Sequence, residues 1–242
     1  MGQIRPLDHA FYARDPRRVA RELLGKVLIR QEVRKADRRG ARPGGPKNTN
    51  GSKASTRLTA RIVEVEAYLG ENDPAAHSAA GQTLRNAVLF GPPGYAYIYF
   101  IYGNHYCLNV SCEPEGQGAG VLFRAVEPLS GIEEMARARG VEIAGPRDLP
   151  KLTSGPGRLA EAFGITRERD NGGDLTSTSS SLWIGDDGYR ARGIVITPRI
   201  GITKAADSPL RYLLRGNAFV SGPKMKALAA PRTLPAAVAK RA

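Results

Sequence analysis

Cysteine and histidine are scarce in this chain of 242 residues, with two Cys (Cys107, Cys112) and three His (His9, His77, His105). Two thiols exclude a disulfide-rich secreted scaffold and point to a reducing, intracellular compartment, cytoplasmic if the source is bacterial. So few sulfur and imidazole ligands also leave zinc ligation of the Cys₄ or Cys₂His₂ type poorly supplied. No secretory signal is visible, and none is expected: the first 25 residues carry Arg5, Arg14, Asp15, Arg17, Arg18 and Arg21 and no apolar core of the required length. Charge is absent from residues 86–112, but Gly91-Pro92-Pro93-Gly94 interrupts that stretch and Asn104, His105 and Asn109 lie within it. A buried piece of sheet accounts for it better than a membrane span, and no membrane partner is expected.

Acid is also in short supply, 23 Asp and Glu against 36 Lys and Arg, a formal charge of +13. Such an excess argues for an acidic partner, most simply nucleic acid. Its placement tempers the argument. Residues 34–57 hold eight basic side chains against Asp37 alone, and residues 224–242 hold five with no acid. These segments carry +7 and +5 of the +13, leaving +1 for the remainder. The first is rich in Gly, Pro, Ser and Asn, and the second in Ala and Pro. Both read as disordered: a basic loop over about 36–55 and a flexible tail over 223–242. They would add sequence-independent, salt-sensitive attraction to phosphate. Any specific surface must come from the arrangement of the nearly neutral remainder, a single domain over 1–222.

The element pattern predicts an α+β fold with a mostly antiparallel sheet and peripheral helices. Asp15-Pro16 caps and opens a helix whose apolar stripe is Val19, Leu23 and Leu24. Strands are expected over 26–33, 58–69, 95–103, 106–112 and 120–128, with shorter ones over 181–184, 191–197 and 210–214. Further helices are expected over 84–90, 132–139 and 157–163, the last capped by Ser154.

Four features carry possible chemistry. In the strand over 58–69, strict alternation puts Ile62, Glu64, Glu66 and Tyr68 on one face. A carboxylate flanked by apolar groups is suited to general base work, or to half of a Mg²⁺ site together with Asp73. His77 follows in a loop, where a lone imidazole is usually a local hydrogen-bonding group. Five of the nine tyrosines (Tyr95, Tyr97, Tyr99, Tyr102, Tyr106) fall within twelve residues. Tyrosines facing a cleft make stacking platforms for nucleobases. Arg124 interrupts an apolar strand and needs an acid, with Glu64 or Glu66 the obvious partner. The two cysteines lie five apart, on opposite strand faces, and read as core residues.

The segments RIVEVEAYLGENDPAAHS, RNAVLFGPPGYAYIYFIYGNHYCLNVS, GVLFRAVEPLSG, LTSGPGRLAEAFGI and RIGITKAADSPLRYLLRGNAFVSG resemble the alkyladenine (3-methyladenine) DNA glycosylase family, in order, from about Leu7 to Gly222. The resemblance implies a monomeric, metal-free and cofactor-free enzyme of base excision repair that acts on double-stranded DNA containing damaged purines. It implies that Glu66 activates water, that Arg124 and the carbonyl of Ile200 hold it, and that Tyr68, His77 and Tyr99 sandwich the flipped base. Asn109 would exclude guanine through its 2-amino group, and Tyr102 would fill the gap left in the DNA stack. The implied pocket contains no lysine, so the enzyme would be monofunctional. Asn104 stands where the family usually has methionine, and the basic loop is longer than usual. Two rivals remain at this point: a Mg²⁺-dependent nuclease using Glu64, Glu66 and Asp73, and a non-catalytic nucleic-acid binding module.

Overall fold

The computed structural model describes residues 3–31, 57–101 and 103–222. The basic loop, the C-terminal tail and Tyr102 lie outside them. Among the described residues the strands are β1 (Arg5–Pro6), β2 (Val27–Arg30), β3 (Leu58–Tyr68), β4 (Ala96–Ile101), β5 (His105–Cys112), β6 (Ala119–Ser130), β7 (Leu182–Asp186), β8 (Ile194–Thr197) and β9 (Arg211–Leu214). The helices are α1 (His9–Tyr12), α2 (Pro16–Leu23), α3 (Ala87–Phe90), α4 (Ile132–Arg139), α5 (Pro150–Thr153), α6 (Pro156–Ala162) and α7 (Arg167–Asp170). The α+β class holds, and every strand pair is antiparallel.

The strands form one sheet in the order β1-β7-β2-β3-β6-β5-β4, with β9 joined to β3 and β8 added to β9. Two long central strands, β3 and β6, organise it. One edge of β3 pairs with β2 through residues 58–61 and then with β9 through residues 64–66; between these spans, the pairing of its other edge with β6 is irregular in register. That irregularity corrects the strict alternation expected for β3. Ala60 and Ile62 point into the main core before it, and Val63, Val65 and Ala67 do so after it. A β-bulge adds one residue and reverses facing beyond it. Ile62 therefore does not share a face with Glu64, and the acids are aimed away from the core by the bulge.

The main core lies between the sheet and the helices. Leu23 and Val19 of α2, Met135 of α4 and Leu159 and Phe163 at α6 pack there against Val65, Leu108, Val121 and Phe123. The opposite face of β2 is buried too, because Val27 and Ile29 meet Trp183 of β7. Asp15 caps α2 as expected, its carboxylate accepting from the Arg17 backbone N–H at 2.8 Å, with Pro16 in the first turn. Asp15→Ala is expected to lower stability by about 1 kcal/mol, seen as a melting point about 2–4 °C lower in a thermal scan; an unchanged melting point would remove the cap from the account.

Two helix starts differ from expectation. The 84–90 piece begins only at Ala87, because the Asn86 side chain turns back and accepts from the Thr83 N–H at 2.6 Å. Ser154 does not cap α6: the helix starts after Gly155, and the Ser154 hydroxyl donates to the Val220 carbonyl instead.

Candidate active site

Beyond the bulge, β3 carries Glu64, Glu66 and Tyr68 toward the ends of β9, β6 and the segment Arg199–Ile202. Glu64 and Glu66 are both fully buried. Buried carboxylates must be met by donors or cations, and the surrounding strands supply them. Arg124 of β6 donates from Nε to Glu64 at 3.0 Å and places Nη1 3.2 Å from Glu66 Oε1. The sequence left a choice of partner; the guanidinium bridges both acids. Glu64 also accepts from Arg211 Nε at 2.6 Å and from the N–H and hydroxyl of Ser221 at 2.5 and 3.0 Å. Glu66 accepts from the Ile200 N–H at 2.8 Å and from the Tyr68 hydroxyl at 3.0 Å. Burial and the charge of Glu66 hold the Tyr68 hydroxyl well above its usual pKa, so it remains a donor.

Asp73 lies across the site, 2.8 Å from Arg199 Nη2 and bonded also through Nη1. Its carboxylate accepts from the N–H groups of Leu69 and Ala75 and so shapes the loop that leads to His77. Burial opposes its ionisation, but Arg199 and these backbone donors outweigh burial and hold its pKa below the ordinary value. Three buried carboxylates thus face three buried arginines. Each acid is taken up by guanidinium groups, and among the described residues no group of three His, Cys, Asp or Glu side chains is arranged to hold a metal ion. The Glu64, Glu66 and Asp73 set of the nuclease reading is not gathered into one cluster.

Above this charged base opens a cavity of about 400 Å³, within the range of small-molecule pockets. Tyr68, His77, Tyr99, Asn109, Arg124 and Ile200 all line it. Glu66 lies just beneath the wall made by Tyr68, Arg124 and Ile200. Tyr102 lies outside the described residues, between the end of β4 and Gly103. His77 packs edge-on against Tyr99, with ring centroids 4.4 Å apart, and its Nδ1 is 3.0 Å from the Tyr97 hydroxyl. Burial, and secondarily Arg85, push the His77 pKa below its usual value, so the imidazole is neutral at pH 7. Asn109 donates to the Tyr97 carbonyl at 3.1 Å and is held against β4. Gly118 also lines the cavity. Its φ is +63°, and a Cβ there would come within 2.6 Å of the Phe90 ring.

Two arginines, Arg199 and Arg211, were not singled out from the sequence. Tyr97, one of the five clustered tyrosines, orients His77, and Cys107, buried as expected, also lines the cavity, its thiol pushed up to about 11 by burial. Cys112 does lie in the core. Arg211 could have been found by the argument that found Arg124, since it too interrupts an apolar strand. Arg199 sits in a loop beside a proline and had no such signal. Tyr95 and Tyr106, by contrast, are engaged away from the cavity, with His9 and with Phe100. No lysine lines the cavity among the described residues.

The chain's likenesses fit this geometry. The model of the family described as methylpurine-DNA glycosylase (MPG) matches residues 49–218. A protein of Koribacter versatilis named "Putative 3-methyladenine DNA glycosylase" is 57% identical over 222 residues, covering 92% of this chain and 96% of that protein. Proteins of the same name from Rhodopseudomonas palustris strain HaA2 and Methanoculleus marisnigri are 44% and 43% identical, covering 90% and 89% of this chain and 91% and 98% of their own.

Proposed function

This chain belongs to the methylpurine-DNA glycosylase family, and from that premise we propose that it turns an alkylated or deaminated purine out of duplex DNA and hydrolyses its N-glycosidic bond with water activated by Glu66. The family is one of DNA glycosylases, hydrolases that release damaged bases. The observation that carries the finer reading is the convergence of Glu66, Arg124, Tyr68 and Ile200 at one end of an aromatic cavity.

A base within a duplex cannot be reached, so it must leave the stack, at a cost of a few kcal/mol that is least for a damaged or mispaired base. Tyr68 on one side and His77 with Tyr99 on the other would hold it. Arg124 and Ile200 would position water against Glu66. The water oxygen bonds to the sugar C1′ as the C1′–N bond breaks, its proton passes to Glu66, and the bonding electrons leave with the purine. The carboxylate also opposes the positive charge that develops on the sugar. Asn109, braced against β4, would crowd the guanine 2-amino group. Tyr102 is given the role of filling the DNA stack by the family resemblance alone.

The cavity favours cationic leaving groups. Burial raises the hydroxyl pKa of Tyr68, Tyr97 and Tyr99 and that of the Cys107 thiol, and His77 is neutral. None of these groups is a ready proton donor at pH 7. A methylated purine already carries the positive charge that proton transfer would supply, and a neutral imidazole does not repel it.

The test is a single-turnover assay on methylated DNA and on duplexes carrying hypoxanthine or ethenoadenine, with and without EDTA. Free base should be released, leaving an intact abasic strand, at the same rate in both conditions. Metal-dependent strand cleavage, or binding of damaged DNA with no base released on any substrate, would overturn the proposal. The second outcome would favour the binding-module reading.

A further inference from the structure

The side chain of Arg199 is fully buried, yet it is not among the residues that line the cavity. Its guanidinium carbon lies 4.6 Å from the centroid of the Tyr68 ring. Tyr68 itself lines the cavity. The arginine therefore stacks on the face of Tyr68 turned away from the cavity, and its charge acts on a base only through that ring and through space. Its partner is fixed as firmly: two nitrogens of Arg199 bind Asp73, and one of them also donates to the Ala67 carbonyl at 3.0 Å.

We infer that the Arg199–Asp73 pair behind Tyr68 sets the balance between cationic and neutral damaged purines, Arg199 weakening and Asp73 restoring the attraction of the Tyr68 face for a positively charged base. The inference rests on the reading of the cavity as a purine pocket with Tyr68 as one wall. An aromatic face attracts a cation through its quadrupole. A second cation on the far face draws on the same electrons and repels the first directly. Asp73 cancels most of that repulsion. The pair is thus a charge setting, distinct from the water-activating group. Arg199 is a positioning and specificity residue that touches no reacting atom.

The two partners predict shifts of opposite sign, which loss of packing does not. The experiment uses the full chain and measures single-turnover release from bulk-methylated DNA, whose 7-methylguanine and 3-methyladenine are cationic, and from a hypoxanthine duplex. The quantity read is the ratio of the two rates in one preparation, which is independent of the fraction of active protein. Asp73→Asn leaves the arginine uncompensated and is expected to lower the cationic-to-neutral ratio about threefold or more. Arg199→Met removes the cation, leaves Asp73 behind the ring, and is expected to raise the ratio by a similar factor. The double variant, neutral on both sides, is expected to return within about twofold of the wild type.

Arg199→Met leaves a buried acid unpaired; should that variant fail to fold, Asp73→Asn, which keeps the arginine and one acceptor oxygen, and the double variant carry the test without it. Ratios unchanged in Asp73→Asn, or moved in the same direction by both single variants, overturn the inference. If the wild type releases base from neither substrate, the purine-pocket reading itself has failed. If it releases base from both while the ratios stay fixed, only the role given to Arg199 and Asp73 has failed.

Discussion

Replacing Glu66 by glutamine is expected to slow single-turnover base release by about 10²–10⁴-fold, the range associated with a positioned general base. Glutamine keeps the shape of the side chain and an oxygen able to accept from the Ile200 N–H or the Tyr68 hydroxyl. It cannot take a proton from water and brings no negative charge to the developing sugar cation. Arg124 keeps its bond to Glu64, so the substitution strands no buried guanidinium. Glu66→Gln should therefore fold, and should bind a hypoxanthine duplex in a gel-shift titration about as tightly as the wild type. The separation of binding from chemistry is the informative result. A Glu66→Gln protein that releases base at the wild-type rate would deny Glu66 its role, whatever the family.

Much of this arrangement was legible in the sequence, and the reasons differ from residue to residue. Asp15-Pro16 announced α2 because capping is a local property, decided by two adjacent side chains. Strands β4, β5 and β6 were legible as runs of β-branched, aromatic and apolar residues between turn signals. Arg124 stood out because a cation in an apolar strand needs an acid. The facing of β3 was misread at Ile62 because a bulge is a property of the pairing partner: the register shift at Ile62 and Glu64 lies in the pairing with β6, at the point along β3 where its other edge passes from β2 to β9. Nothing within LTARIVEVEAY signals that change of neighbour. The roles of Asp73 and Arg199 were hidden for the same reason, since 126 residues separate the two halves of their contact. That buried Cys107 also borders the cavity was not legible, because alternation tells one face of a strand from the other, but not which buried face borders a cavity.

The largest loss of stability is expected from Glu64→Gln. Glu64 is fully buried and takes donors from Arg124, Arg211 and Ser221. It is the carboxylate that meets Arg211, whose other acceptors are the Thr197 hydroxyl and the Ser221 carbonyl, and one of the two that meet Arg124. Removing its charge leaves Arg211 buried with no carboxylate, while Arg124 keeps Glu66. An uncompensated buried charge of this kind costs about 3–5 kcal/mol, or a melting point lower by about 10 °C in calorimetry. The Arg30–Asp170 pair offers a comparison away from the cavity. It is equally buried, with Arg30 Nη1 and Nη2 at 2.7 and 2.8 Å from the two carboxylate oxygens. Asp170→Asn should destabilise the protein to a similar degree, yet leave single-turnover release by the folded fraction unchanged. Glu64→Gln should slow release as well, because Arg124, freed from Glu64, is drawn wholly onto Glu66 and no longer holds the geometry proposed for water. If both variants lose stability and neither loses rate, Glu64 is only a structural counter-charge, and the orientation of Arg124 must be set by other groups.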